Sequence, residues 1–208
     1  MEAEGKALPP LVEKMLRSGA PSFYRLDDGD RLYFDLEAGE HRPVLPRSGV
    51  ISLAALRERR KLLLSNPGAS LLDMGEGILC LEFHSKANSL DRNVLAMIPA
   101  AIEETEAHYE GLVIGNEGQN FCVGANLQYL LELCRAKSWE EIRRAVGTAQ
   151  KSFLALRYCR RPVVAAVFGN TLAGGCELAL HASRVQALAE TYMGLVEKIG
   201  RASCRERV

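Results

Sequence analysis

The sequence predicts an α/β protein. Short apolar runs alternate with longer helix-forming segments from residue 77 onwards, and this alternation is typical of α/β architecture. Two glycine-rich turns, at residues 121–126 and 172–177, each follow a β-type run and lead into a helix-forming segment. The first 75 residues lack this alternation and are interpreted as a different piece of protein.

The leader is predicted to contain a short helix and a hairpin. The helix covers residues 11–17 and ends at Gly19. The runs 23–26 and 31–34 flank Asp-Asp-Gly-Asp at 27–30, which is a strong hairpin signal.

A stretch rich in turn formers follows, and then a basic helix. This helix is predicted to run from Ser52 to Leu64, where Asn-Pro-Gly at residues 66–68 closes it. The simplest interpretation of its charged side chains is that they form a solvent-exposed face of the helix.

Strands and helices are then predicted in alternation. The strands are 77–83, 111–115, 163–168 and 184–189, and the helices are 92–108, 125–136, 138–157 and a short one from Glu177 to Ala182. Ser138 and Glu141 fit the Ser-x-x-Glu capping box at the start of a helix. Pro99 is expected either to kink its helix or to move the helix start later.

Composition is that of a soluble enzyme. The 208 residues carry 26 basic and 26 acidic side chains, so charge gives no reason to expect nucleic acid or an anionic membrane as partner. No apolar run approaches the roughly 20 residues of a membrane-spanning helix. The six cysteines and the absence of a secretory signal predict reduced thiols and a cytoplasmic location.

The two glycine turns are predicted to form an oxyanion hole. Each places small residues at a helix start, where the first backbone N–H groups have no intrahelical partner. Small residues let a substrate carbonyl approach these donors closely. Two such turns side by side would bind one carbonyl oxygen, and bind it better as it gains negative charge.

These turns, Phe-Cys-Val-Gly-Ala-Asn and Leu-Ala-Gly-Gly-Cys-Glu, resemble those of the crotonase (enoyl-CoA hydratase/isomerase) superfamily. Residues 84–90, His-Ser-Lys-Ala-Asn-Ser-Leu, resemble the segment that lines the acyl-CoA site, and residues 190–197 resemble the third family motif. The four motifs stand in family order over roughly residues 75–198. The resemblance implies a crotonase-like ββα spiral, incomplete at its C-terminus and preceded by the small helix and hairpin leader.

The resemblance also implies roles for individual residues. The backbone N–H groups of Ala125 and Gly174 would form the oxyanion hole, and Glu177 and Glu197 would hold and activate a water. The implied substrate-binding residues, near the pantetheine or adenine end of CoA, are Lys86, Ala87 and Ser89. The implied reaction is hydration of a 2-enoyl-CoA, with no metal. Which glutamate acts as acid and which as base stays open.

Other interpretations exist for the same residues. Glu177 and Glu197 could be solvated surface carboxylates, but Glu177 stands among small and apolar neighbours where an unpaired charge would be costly. Cys122 and Cys176 are interpreted as buried packing residues rather than nucleophiles. His84 is interpreted as structural or close to a phosphate rather than as a base.

The leader resembles the end of the helical domain of a 3-hydroxyacyl-CoA dehydrogenase, as found in bacterial fatty-acid oxidation proteins. The similarity lies in residues 14–24 and 49–53. It implies that Met1 is an internal methionine. No G-x-G-x-x-G occurs in the chain, so no cofactor is expected in it, and NAD is expected only in the missing dehydrogenase domain.

Four segments are therefore predicted. They are the end of a dehydrogenase-type domain at 1–48, a linker helix at 49–74, a truncated crotonase-like domain at 75–198 and a tail at 199–208. The tail resembles a translated frame of a sequencing-library adaptor and is interpreted as non-native. The alternative is a genuine basic tail.

Three functional hypotheses follow. The favoured one is the enoyl-CoA hydratase part of a bifunctional β-oxidation enzyme, acting on acyl-CoA. The second is another crotonase reaction, double-bond isomerisation or thioester hydrolysis. The third is an inactive fragment, and little or no activity is expected from this chain alone. The resemblance implies that an intact parent protein could form a homo-oligomer.

Overall fold

The computed structural model describes residues 8–27, 30–45, 49–59 and 61–196. The chain divides into two units, Met1–Lys61 and Leu62–Val208. The segment boundaries predicted at residues 48, 74 and 198 stay predictions, and the tail at 199–208 lies outside the described residues.

The first unit combines one helix with a three-stranded antiparallel sheet. Its elements are α1 (Pro10–Arg17), β1 (Tyr24–Asp27), β2 (Asp30–Asp35) and β3 (Glu40–Pro43), with sheet order β1-β2-β3. The predicted helix and hairpin are confirmed, and Asp27 pairs with Asp30 across the hairpin turn. Strand β3 was not predicted, because its polar residues lack an apolar alternation.

A small core holds this unit together. Met15 of α1, Ala20 and Phe34 of β2 are buried against one another. The turn after β2 is closed by Asp35, whose carboxylate accepts the backbone N–H groups of Ala38 and Glu37. These hydrogen bonds lower the pKa of Asp35.

The basic helix is shorter than predicted. Helix α2 (Leu53–Glu58) begins at Ser52, whose hydroxyl accepts the N–H of Ala55. The prediction of a helix as far as Leu64 is wrong, because β4 (Leu62–Ser65) is an edge strand paired with β5 (Ala69–Gly75).

The Asn-Pro-Gly sequence is the turn of that hairpin rather than a helix end. The side chain of Asn66 accepts the N–H groups of Gly68 and Ala69 at 2.9 and 2.8 Å. This Asx-type turn reverses the chain between the two strands. Strand pairing therefore overrides the helical tendency of the preceding leucines.

The second unit is built on a mixed six-stranded sheet within the described residues. Its order is β10-β8-β7-β6-β5-β4, where β6 is Ile78–Phe83, β7 is Gly111–Ile114, β8 is Val163–Val167 and β10 is Arg184–Ala187. Strands β6, β7, β8 and β10 run parallel, whereas β4, β5 and β6 are antiparallel. The four predicted strands are confirmed, with ends that differ by one or two residues.

A second, two-stranded sheet was not predicted. Strand β9 (Asn170–Leu172) pairs in parallel with β11 (Tyr192–Gly194). The backbone N–H of Ala173 continues the pairing by donating to the carbonyl of Gly194 at 3.0 Å. This small sheet brings the third motif beside the second glycine turn.

Four helices of the described ranges belong to this second unit. They are α3 (Arg92–His108), α4 (Leu127–Arg135), α5 (Trp139–Arg157) and α6 (Gly174–His181). Two are capped at their start, α3 by the carboxylate of Asp91 and α4 by the side chain of Asn126. Helix α6 begins three residues earlier than predicted, so both glycines of the second turn belong to its first turn. The α/β class is confirmed.

Pro99 lies inside α3 without shifting its start. The helix runs unbroken from Arg92 to His108. Because proline has no N–H, it cannot donate to the carbonyl of Leu95. The hydroxyl of Ser152 on α5 donates to that carbonyl at 3.4 Å.

The capping box predicted at α5 is not formed. Ser138 is the N-cap residue, but its side chain makes no capping hydrogen bond. The N–H of Glu141 donates instead to the backbone carbonyl of Ser138. The helix start is therefore fixed by backbone hydrogen bonds alone.

Candidate functional site

The two glycine turns lie against each other. A Cβ added to Gly124 would stand 2.9 Å from the Cβ of Ala173 and 3.3 Å from the nitrogen of Gly174. A Cβ added to Gly175 would stand 2.5 Å from the carbonyl oxygen of Cys122. Only glycine permits backbones to approach this closely, and Gly124 also has a φ of +95°.

The N–H of Ala125 points away from the segment that flanks it. Leu90 donates to the carbonyl of Gly124 at 2.8 Å, and Asn126 donates to the carbonyl of Leu90 at 3.4 Å. Ala125 lies between Gly124 and Asn126, the two residues that bond to Leu90. In a parallel bridge the residue in this position directs its own N–H away from the paired segment. Within the described residues that N–H has no acceptor.

The N–H of Gly174 is the second free donor. Gly174 is the first residue of α6, so its N–H has no acceptor within the helix. No other acceptor for this N–H is found in the described ranges. The position of a Cβ on Gly174 lies 3.7 Å from the nitrogen of Ala125. The two predicted oxyanion-hole donors are therefore neighbours.

Ala125 and Gly174 both line one cavity of about 440 Å³. Its apolar wall is formed by Leu90, Leu95, Ala96, Ala125, Leu130, Ala145, Val146, Ala149 and Phe153. Its other lining residues are Asp91, Arg92, Asn126, Tyr129, Glu141, Arg144, Thr148, Gly174 and Glu177. Mostly apolar walls with a few convergent polar groups are typical of small-molecule sites.

Glu177 lines this cavity from the first turn of α6. One of its carboxylate oxygens lies 3.8 Å from the Cβ position of Gly174. Its small and apolar neighbours are present as expected, but its side chain is exposed to the cavity while Cys176 and Leu178 are buried. Neighbours in a helix sequence point in different directions, so the core takes those two residues and the cavity takes Glu177.

Glu197 lies outside the described residues. The described part of its motif, β11, lies beside β9. The role of Glu197 stays a prediction.

The predicted CoA-binding residues do not line the cavity. Lys86 and Ala87 are exposed in a 3₁₀ turn (Lys86–Asn88), and Ser89 is buried behind it. Their segment ends at Leu90, which does line the cavity. Contact of Lys86, Ala87 and Ser89 with CoA stays a prediction.

The cysteine interpretation agrees with the surroundings of both thiols. Cys122 and Cys176 are buried, and burial raises the pKa of the Cys122 thiol to about 11. A thiol of this kind is a poor nucleophile. His84 is exposed, with its Nε2 hydrogen-bonded to the hydroxyl of Ser70 at 2.9 Å.

Several cavity residues were missed by sequence reasoning. Besides Val146, helix α5 contributes residues that follow a spacing of three and four, namely Glu141, Arg144, Ala145, Thr148, Ala149 and Phe153. That spacing marks one face of a helix and was available in the sequence. What the sequence did not reveal is that this face opens on a cavity rather than on solvent.

Residues 73–201 match the family described as enoyl-CoA hydratase/isomerase. The chain therefore belongs to this family, and the predicted crotonase-like fold is confirmed. The probable 3-hydroxyacyl-CoA dehydrogenase of Bacillus subtilis is 43% identical over 197 residues, which cover 95% of this chain and 25% of that protein. The putative fatty acid oxidation complex trifunctional enzyme of Rickettsia prowazekii is 29% identical over 140 residues, 67% of this chain and 19% of that protein.

Among solved structures, the enoyl-CoA hydratase of Bacillus anthracis superposes with a TM-score of 0.57 at 25% identity. The match covers 64% of this chain and 52% of that one. The chain thus spans a quarter or less of the two curated relatives and about half of this hydratase. None of the helices in the described ranges is both long enough and apolar enough to cross a bilayer.

Proposed function

We propose that the site adds water to a 2-enoyl-CoA, as the hydratase part of a fatty-acid oxidation enzyme. One observation carries the proposal: Ala125 and Gly174, whose backbone N–H groups have no acceptor among the described residues, line the same cavity as Glu177. This combination offers an anion-binding point and a proton-transfer group within one enclosure.

The donors act on the thioester carbonyl. As the oxygen of water bonds to the β carbon, the electron pair of the carbon–carbon double bond moves onto the thioester, which becomes enolate-like. The N–H groups of Ala125 and Gly174 bind the resulting oxyanion more tightly than the neutral carbonyl, which lowers the barrier. Protonation of the α carbon then completes the 3-hydroxyacyl thioester.

The two carboxyl groups transfer the protons. Glu177 holds the water and exchanges a proton with the reacting atoms, and Glu197 is assigned as its partner. One group accepts the proton that water loses, and the other supplies the proton that the α carbon gains. The atoms of water are thus added across the double bond without any further reactant.

The proposal extends to the parent protein. The relative from Bacillus subtilis is named as a 3-hydroxyacyl-CoA dehydrogenase, and a 3-hydroxyacyl-CoA is what the proposed hydration produces. We therefore propose a parent that also oxidises this product, with NAD bound in its dehydrogenase part.

A second candidate is isomerisation of an enoyl-CoA double bond. It needs the same oxyanion hole but only one carboxylate to carry a proton from one carbon to another. A carboxylate oxygen of Glu177 lies 3.8 Å from the Cβ position of Gly174, so one carboxylate beside the hole is available for this reaction. Its substrate would be a 3-enoyl-CoA, so trials with 2-enoyl and 3-enoyl thioesters separate the two reactions.

The decisive experiment compares the chain with its Glu177→Gln variant. Loss of the conjugated enoyl absorbance of crotonyl-CoA measures hydration, and the proposal expects the variant to be slower by roughly 100-fold or more. Glu103→Gln, an exposed change of the same type on α3, is the control and should keep the rate. Equal rates well above uncatalysed hydration would remove Glu177 from the mechanism, whereas no rate above it would agree with the expectation that this chain alone is inactive.

A further inference from the structure

Three asparagine side chains connect the loops that carry the two oxyanion-hole donors. We infer that Asn88, Asn116 and Asn120, here called the asparagine clamp, are positioning residues that fix Ala125 and Gly174 relative to each other. None of the three lines the cavity, so they act through the backbone. The inference rests on the proposed function and adds a supporting shell to it.

Asn116 ties the first glycine turn to the central sheet. Its Oδ1 accepts the N–H of Phe83 at 2.5 Å, and its Nδ2 donates to the carbonyl of Phe121 at 2.6 Å. Phe83 is the last residue of β6, and Phe121 is the first residue of the glycine turn. One amide thus uses both its acceptor and its donor to hold the turn at the strand end.

Asn120 ties the same loop to the second turn. Its Oδ1 accepts the N–H of Asn170 at 3.1 Å. Asn170 is the first residue of β9, the strand that leads to Gly174. The backbone follows the same seam, since the N–H of Phe121 donates to Phe168 at 3.0 Å and that of Cys122 donates to Asn170 at 3.2 Å.

Asn88 ties in the segment before Leu90. Its side chain is buried and its Nδ2 donates to the carbonyl of Asn120 at 2.9 Å. Its φ of +51° is a left-handed conformation that asparagine tolerates better than most residues. Through this bond the three chain segments around the hole meet at the loop that contains Asn116 and Asn120.

The loop needs such support because residues 115–120 form no helix or strand. Backbone groups outside regular elements must find partners in side chains or water. An oxyanion hole works only when both donors keep their positions to within a fraction of an ångström. The clamp fixes these positions in a loop that has no backbone pairing within a sheet.

Two substitutions each remove a single bond of the clamp, and Asn116→Asp does so with almost no change in size. Asn116→Asp keeps the acceptor for Phe83 but turns an oxygen toward the carbonyl of Phe121. Asn120→Ala removes the acceptor for Asn170, whereas Asn120→Asp retains one. Because the Asn120 bond is exposed, we expect its loss to leave the fold intact. Gln119→Glu, an exposed neighbour, controls for the added charge.

Hydration kinetics give the first measurement. We expect kcat to fall roughly 10-fold in Asn116→Asp and roughly 3-fold in Asn120→Ala, with KM nearly unchanged. Asn120→Asp and Gln119→Glu should keep kcat close to that of the unchanged chain. If the role of Asn120 were purely structural, its variants would change the unfolding midpoint, and Asn120→Asp and Asn120→Ala would not differ in kcat.

A spectroscopic probe separates this inference from the proposed function. A cinnamoyl-CoA carrying a dimethylamino group absorbs at longer wavelength when hydrogen bonds polarise its carbonyl. A red shift on binding that shrinks in Asn116→Asp and Asn120→Ala supports the clamp, and an unchanged shift in both overturns it. No red shift with the unchanged chain would count against the proposed function.

If the unchanged chain gives no red shift, the amide NMR resonances of Ala125 and Gly174 in the ligand-free protein test the clamp independently of the proposed function. Displacement or doubling of the Gly174 resonance in Asn120→Ala, restored in Asn120→Asp, supports it. Unchanged resonances for both residues overturn it. This readout requires no substrate, so it stands even if the chain catalyses nothing.

Discussion

Gly175 is packed so closely against Cys122 that a Cβ on the glycine would stand 2.5 Å from the carbonyl oxygen of the cysteine. The same Cβ would lie 2.7 Å from the cysteine Cβ and 2.8 Å from its Sγ. A backbone carbonyl cannot turn aside as the end of a long side chain can. The contact holds the two glycine turns at their present separation.

Gly175→Ala is therefore expected to destabilise the protein. Overpacking of this kind costs about 1–3 kcal/mol, measured as the free energy of unfolding in urea. Gly147→Ala is the matched control, because it is also a helical glycine but has nothing within 4 Å of an added Cβ. It should stabilise by about 0.4–1 kcal/mol. A Gly175→Ala protein as stable as Gly147→Ala would show that the turns can separate freely.

Gly174→Ala should affect activity more than stability. Its Cβ would meet the flexible end of Leu90 at 3.1 Å and would lie 3.7 Å from the nitrogen of Ala125, where the carbonyl oxygen is to bind. We expect crotonyl-CoA hydration to fall roughly 10-fold, while the free energy of unfolding changes by less than about 1 kcal/mol. An undiminished rate would place the reacting carbonyl elsewhere.

Ser152 and Pro99 should be energetically coupled. The Ser152 hydroxyl satisfies the carbonyl of Leu95 that proline leaves without a donor. Ser152→Ala should cost about 1 kcal/mol, and less when Pro99→Ala restores a backbone donor. A double-mutant cycle on urea unfolding measures this coupling. Strict additivity of the two changes would mean that the hydroxyl does not replace the missing N–H.

Glu106 should make stability depend on pH. Hydrogen bonds from the side chain and then the backbone of Arg160 hold the pKa of Glu106 below its ordinary value of 4.5. A carboxyl with a lowered pKa stabilises the fold above its ordinary value, and that stabilisation is lost as pH falls through the folded-state pKa.

Urea midpoints of the chain and of Glu106→Gln test this. The unchanged chain should be the more stable at neutral pH, and the difference should shrink as pH falls below 4.5. The effect is expected to be small, because the pair is open to solvent screening. A difference that is independent of pH would assign the effect to packing instead of charge.

Local patterns were enough to predict the parallel strands and the glycine turns. Strands β7 and β8 are short apolar runs, and each turn has small residues directly before a helix, so both signals lie within a few residues of sequence. The error at Leu62–Ser65 has a different origin, because a leucine run fits a helix as well as an edge strand. Only pairing with β5 decides between them.

The clamp and the surroundings of Glu177 required the folded chain. Asn116 reads as an ordinary loop residue, since its partner Phe83 is 33 residues away. Glu177 reads as buried because its sequence neighbours are apolar, yet helix geometry sends it toward the cavity. Long-range contacts of this type carry no local signature.

The pairing of β9 with β11 also determines when the site forms during folding. Gly194 supports Ala173, and Leu90 supports Ala125, so the two donors depend on segments that are widely separated along the chain. Contacts of such high sequence separation close slowly, because loop-closure entropy opposes them until the intervening elements have formed. We therefore expect the segments that contain Ala125 and Gly174 to be among the last parts of this unit to form, so that the two donors take their positions only after the surrounding elements have folded.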